Sequence, residues 1–248
     1  YEKSSLAVKS VDAVPTSGFK YLARASWAAT NLATPSKQKT IQLRIKPVKG
    51  NEGVALSLGD PGNGGTLKLD KYTGNDISSS GDSTTYGRIN LASGSGFPGD
   101  IIASTRYFPL YNGSFWNIHL ARDKNDGTVH FGAYQTNHLK NTHKVNKIHN
   151  MGVGNYNSSF GINAGQGESH VVAGAKGYEG SIQELRSNWG EILTDATLTK
   201  HSLEPFMYAG NSISSSFSNV VIRYPLGSTD VETFENHIPD TSIATANS

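Results

Sequence analysis

Cysteine is absent from this 248-residue sequence, so there is no disulfide framework, no thiolate metal site and no cysteine nucleophile. Methionine occurs only 2 times and charged residues make up 17% of the chain, below the roughly one quarter of an average domain. Hydroxyls and amides are therefore expected to carry much of the surface. The net charge is +2, from 22 basic and 20 acidic residues, which is too balanced for bulk charge to argue nucleic-acid binding. No apolar run approaches the roughly 20 residues of a membrane span, so membrane insertion is not expected. The chain opens on Tyr1 rather than Met and shows no basic-then-apolar leader pattern. A processed product or a piece of a longer polypeptide is expected. Two glycosylation sequons, at Asn112 and Asn157, are what chance supplies in so Asn/Ser-rich a chain and say little about secretion.

What is present points to strands. Glycine numbers 27, and Ser, Thr and Asn are abundant, a composition of many short strands joined by polar turns. The length suits a single all-β domain. Period-two alternation runs through Thr40–Lys46, with Ile41, Leu43 and Ile45 on one face, and through Val54, Leu56 and Leu58. Residues 73–100 read as Ser/Gly/Thr/Asp-rich, with a loop by composition at Ile77–Thr85. From Phe115 to Tyr134 the pattern is a hairpin: Trp116, Ile118 and Leu120 face one way, Asp126-Gly127 turns the chain, and Val129, Phe131 and Ala133 return. Val171–Gly174 reads as a turn before a strand ending near Arg186. Thr194–Leu203 reads as one helical turn, capped by Thr194 or Asp195 and stopped by Pro205. Val220–Tyr224 is a last strand. The division is an N-terminal arm at 1–17, a β-sandwich at 18–227 and an acidic polar tail at 228–248.

Two segments carry a family resemblance. Phe115-Trp-Asn-Ile-His-Leu-Ala-Arg-Asp123 resembles the central strand of laminin-G and concanavalin-like domains, and Tyr178-Glu-Gly-Ser-Ile-Gln-Glu-Leu-Arg186 resembles their late strand. Their order and spacing suit one domain. The resemblance implies a two-sheet antiparallel β-sandwich, a concanavalin-like jelly roll with one short helical turn. A second succession follows the late Gly180-Ser-Ile-Gln-Glu184 strand: His201-Ser-Leu-Glu-Pro205, Gly210-Asn211, Val221–Gly227 and His237-Ile-Pro239. It is similar to one that follows laminin-G-like domains in large structural proteins of marine double-stranded DNA viruses and phages. Here Glu204-Pro205 stands for the Asn-Pro of that pattern, and Ile238 separates its His and Pro. That resemblance implies a virion protein: capsid-associated, fibre or tail.

Glucanases on this fold need carboxylates paired across a cleft. No Glu-x-Asp-x-Glu strand exists, and Glu179 and Glu184 would face opposite sides of a regular strand. The chain also looks superficially like alginate-lyase jelly rolls at Gln183–Arg186, Lys147–His149 and Phe131–Gln135. Their order is reversed, however, and the first Arg and the Gln of that pattern are missing. For metals, Asp123, Asn125 and Asp126 offer turn oxygens suited to calcium, and Asp60 and Asn63 offer a second half-site. An Asp-Gly hairpin turn explains the first group equally well.

The most unusual feature is electrostatic. Between Gly127 and Gly167 there is no acidic residue, while His130, His138, Lys140, His143, Lys144, Lys147 and His149 are present. Such a strip suits a polyanion, such as a sulfated or uronic glycan, or guards an edge strand with charge. Trp189 is a further candidate for stacking on a sugar. The tail carries Asp230, Glu232, Glu235 and Asp240 with no Lys or Arg after Arg223, a counterpart that would dock on the strip. These readings lead to a non-enzymatic virion or extracellular protein. Its partners would be other copies, other structural proteins of the same assembly, and glycans; its cofactor, if one is held, is calcium. A carbohydrate-binding module of a non-viral extracellular protein and a polysaccharide-lyase-like enzyme are the alternatives.

Overall fold

A computed structural model describes residues 6–9, 23–28, 38–58, 65–74, 83–93, 99–123, 125–137, 139–152, 168–175, 177–205, 207, 209–212 and 220–224. Among them are thirteen strands, one 3-10 turn at Ser83–Thr85 and one α-helix. The strands are β1 (Leu6–Lys9), β2 (Ala23–Ala28), β3 (Gln38–Pro47), β4 (Val54–Leu58), β5 (Gly65–Lys71), β6 (Gly87–Ser93) and β7 (Asp100–Ser104). They continue as β8 (Trp116–Asp123), β9 (Thr128–Thr136), β10 (Thr142–Asn150), β11 (Glu168–Ala175), β12 (Glu179–Trp189) and β13 (Val220–Tyr224). The helix α1 spans Asp195–Leu203.

The strands form two sheets. The seven-stranded sheet runs β1-β12-β3-β8-β9-β10, with β13 also paired to β12; the six-stranded sheet runs β2-β11-β4-β5-β6-β7. Neighbours pair antiparallel. The inner side chains of both sheets make one core, as the alternation in the sequence requires. Ile41, Leu43 and Ile45 of β3, Trp116, Ile118 and Leu120 of β8, and Phe131 of β9 meet Leu56, Leu67, Leu69, Ile89 and Leu91 of the other sheet. Each such side chain, fully buried, contributes about 1.5–3 kcal/mol of hydrophobic stabilisation. The β8–β9 hairpin closes as read. Gly127 sits at φ 75°, a conformation that favours glycine, and its N–H donates to the Asp123 carbonyl at 3.0 Å.

Three readings of the sequence are corrected. Residues 87–93, in the Ser/Gly/Thr/Asp-rich stretch where no strand was read, are β6, whose Ile89 and Leu91 are core residues; its two apolar positions are diluted by the Ser/Gly/Thr around them. Val171–Gly174 lies within β11, which pairs with both β2 and β4. A short apolar run beside glycine reads as a turn until both neighbours supply its hydrogen bonds. Finally, β12 is not regular. Its register with β3 shifts between Gln183 and Arg186, and Glu184 takes φ 53°. The simple alternation argument for Glu179 and Glu184 therefore does not apply.

β1 pairs with β12 along Glu179–Ile182 and β13 along Leu185–Asn188, so the N-terminal arm contributes a strand to the sheet. The tail at 228–248, with its acidic residues, lies outside the described residues. No helix among the described residues is long and apolar enough to cross a membrane.

Candidate functional site

Strand β10 is the edge of the seven-stranded sheet, and its register with β9 decides where the basic strip goes. Val145 pairs with Ala133, whereas Lys144 pairs with Tyr134. By alternation His143, Lys147 and His149 share the face that points toward the sandwich interior, and Lys144 and Asn146 share the other. The strip is thus divided between two faces. Lys140 lies in the turn before β10, at φ 62°, and His138 lies outside the described residues.

The inner face of β10 meets the segment that joins the two sheets. Residues after β7 are clamped to the start of β6: Thr105 N–H donates to the Ile89 carbonyl at 2.9 Å, and Phe108 and Gly87 exchange backbone hydrogen bonds at 2.9 and 3.0 Å. Between this segment and β10 lies a groove of about 480 Å³. Tyr86, Tyr107, Phe108 and Trp116 supply its aromatic lining, and Arg106, His143 and Lys144 its basic lining. Trp116 and Phe108 are buried and meet edge to face, with centroids 4.9 Å apart. Tyr107 is half-buried and held from two sides, by the Tyr72 ring at 4.9 Å and by the Arg88 guanidinium 4.9 Å from its centroid. Arg88 is itself fixed by Asp70, at 2.7 and 2.8 Å.

The outer face of the same sheet is different. Helix α1, capped by Thr194 accepting from the Thr197 N–H at 3.3 Å, lies across β8 and β9 and buries a layer of polar side chains. Gln42 hydrogen-bonds His201 at 2.9 Å and accepts from Asn117 at 2.8 Å. His201 Nε2 lies 2.8 Å from the Ala209 carbonyl. Tyr134 donates to Asp195 at 2.9 Å and accepts from Asn146, and Asp195 also pairs with Lys144 at 2.7 Å. Burial pushes both histidines down to about 3, helped by His130 near His119 and by Arg186 near His201. Burial raises the Tyr134 hydroxyl, and the Lys144 hydrogen bond lowers the Asp195 carboxyl. At neutral pH these histidines are uncharged. Arg186 and Glu184 are buried together, 3.7 Å apart, and Arg186 donates to the Pro205 carbonyl.

The remaining candidates are placed as follows. Asp123 accepts from Asn125 N–H at 2.8 Å and from Gln38 at 2.5 Å. Asp126 accepts from the Thr128 N–H at 2.9 Å and its hydroxyl at 2.6 Å, and these bonds lower its carboxyl. These carboxylates brace the hairpin turn, and no group of three or more His, Asp and Glu suited to a metal gathers among the described residues. Asp60 and Asn63 lie outside the described residues, and Trp189 is placed only as the last residue of β12, paired with Lys39. Of the three lyase-like segments, Phe131–Gln135 and Lys147–His149 lie on paired strands, with Lys147 opposite Phe131, but the residues they would use fall on different faces. Tyr134 and Arg186 pair with outward positions, Asn117 and Gln42, whereas His149 pairs with inward Val129.

Sequence reasoning did not single out Arg106 and Tyr107 as site residues. They lie in an irregular segment without period or motif, and only the aromatic density of Tyr107-Phe108 beside a basic residue hints at them.

No protein-family model matches the chain, and no curated protein matches it by sequence. Its shape is similar to that of full-length tailspike protein 2 from an Escherichia coli O157:H7 bacteriophage: 14% identity, TM-score 0.52, over 91% of this chain and 29% of that one. It is also similar to the enzymatically active domain of tailspike protein 2 of bacteriophage CBA120: 14% identity, TM-score 0.51, over 91% of this chain and 32% of that one. A native heptameric SAP-like pentraxin from Limulus polyphemus aligns over 94% of this chain and 90% of its own at 12% identity and TM-score 0.45. This chain spans about a third of the tailspike structures' length. At these identities the likeness is one of fold. The class of the protein is the two-sheet antiparallel β-sandwich.

Proposed function

We propose that this chain is a glycan-binding β-sandwich of a virion surface protein, acting by attachment and not by catalysis. The observation that carries the reading is the groove between β10 and the segment after β7, where fixed aromatic rings stand beside cationic side chains in a volume of about 480 Å³. Sugar rings are bound through their C–H faces on aromatic side chains and through polar groups at the rim, and the volume falls within the roughly 300–1,000 Å³ of ligand sites. The viral part of the reading is supported by the bacteriophage tailspike proteins among structures of similar shape and by the resemblance along residues 180–239. Binding without turnover is supported by the separation of Tyr134 and Arg186 from the groove: both lie on the far side of the sheet, beneath α1 or beside it.

Assembly with further copies of the chain, or with other structural proteins, belongs to the same reading. The test is a glycan array probed with the intact chain and with Tyr107→Ala. The expected result is a defined set of bound glycans whose signal falls about tenfold in the variant. Release of cleaved sugar during the assay would replace attachment by an enzymatic role.

A further inference from the structure

We propose that the groove selects sugars bearing a carboxylate or a sulfate, with Arg106 and His143 holding the anion and Tyr107 fixing the ring beside it. This rests on the groove being the glycan site. The argument is one of local charge. Arg106 and His143 are exposed and line the groove from opposite walls, one on the segment after β7 and the other on β10. Among the described residues no carboxylate lines it. Of the acids paired with residues at its border, Asp70 is held by Arg88, which packs on Tyr107, and Asp195 by Lys144. Lys144, at the groove's border, is ion-paired with Asp195, so Arg106 supplies the charge that meets a ligand and the His143 imidazole stands opposite it as a polar hydrogen-bonding group.

A guanidinium offers a planar fork of donors that matches a carboxylate or sulfate. Against an anion of one charge, one guanidinium with a polar imidazole opposite it suffices. A nucleic acid is the less suited polyanion, because its binding is dominated by cations neutralising successive phosphates and the chain as a whole carries only +2. Tyr107 adds preorganisation: Tyr72 and Arg88 already hold its ring, so little ordering remains to oppose binding.

The experiment is titration calorimetry on the whole chain with four probes: a uronate oligosaccharide, a sulfated oligosaccharide, a neutral gluco-oligosaccharide of the same length, and a single-stranded oligonucleotide. The expected result is that at least one acidic sugar binds about tenfold or more tightly than the neutral one. That preference should shrink as salt is raised. Whichever acidic sugar binds better identifies the anion. Arg106→Ala should remove the preference, while Lys200→Ala, an equal loss of charge on exposed α1 surface, should preserve it. Equal binding of acidic and neutral sugars, or a preference that survives Arg106→Ala, overturns this inference and leaves the glycan site standing. Binding of none of the sugars overturns both. Binding of the oligonucleotide above every sugar replaces the ligand class.

Discussion

Both faces of the seven-stranded sheet are buried around β8 and β9, yet they are built from different materials. Toward the other sheet the side chains are hydrocarbon: Ile118, Leu120, Phe131 and Ala133 reach 0% exposure. Toward α1 they are Asn117, His119, Tyr134 and Gln42, equally inaccessible. The hydrocarbon face gains stability from area alone and is indifferent to pH. The polar face gains little net from each hydrogen bond and loses much when one is unmade. It positions α1 more than it stabilises the domain, and among the described residues a small cluster of Tyr134, Leu193 and Leu198 adds apolar contact there. The difference shows how one strand serves two purposes, with odd and even residues obeying different energetics.

The largest expected separation between the faces is in acid. His119 and His201 are held by burial at about 3, against about 6.5 in an unfolded chain. Below pH 6.5 the unfolded chain binds protons that the folded chain does not. Stability is therefore complete above that pH and declines as pH falls through the 6.5-to-3 window, by about 1.4 kcal/mol per pH unit for each histidine. Hydrogen exchange between pH 7 and 4 should show α1 opening before the sandwich core, and His201→Gln should flatten the decline. A pH-independent α1 would refute the comparison.

Next in size is the apolar face. Phe131→Ala should lose about 3–5 kcal/mol in denaturant melts, and that loss should stay constant with pH. The smallest effect belongs to the join between helix and sheet. Thr194→Ala removes the cap and should cost about 1 kcal/mol, seen as faster exchange in α1 with β3–β5 unchanged.

The hairpin shows what could be read in advance. Trp116, Ile118 and Leu120 alternate, Asp126-Gly127 turns, and the pairing follows from local chemistry. The helix was legible for the same reason, with Thr194 at its start and Pro205 just beyond its end. The candidate site was legible only in part. The His/Lys strip was visible as charge, but pairing with β9 assigned His143 to the groove face and Lys144 to an ion pair with Asp195, 51 residues away.

By itself, then, the order of residues determined the alternation of β3, β8 and β9 with their inward side chains, the Asp-Gly turn and the capped helix, because each depends on neighbours within a few positions. Tertiary structure alone decided that β10 is an edge, that Arg106 and His143 face one groove, and that α1 seals a polar layer over His119 and Tyr134. Those depend on register and on which sheet face a distant segment covers, and a one-residue slip in pairing would exchange every one of these assignments.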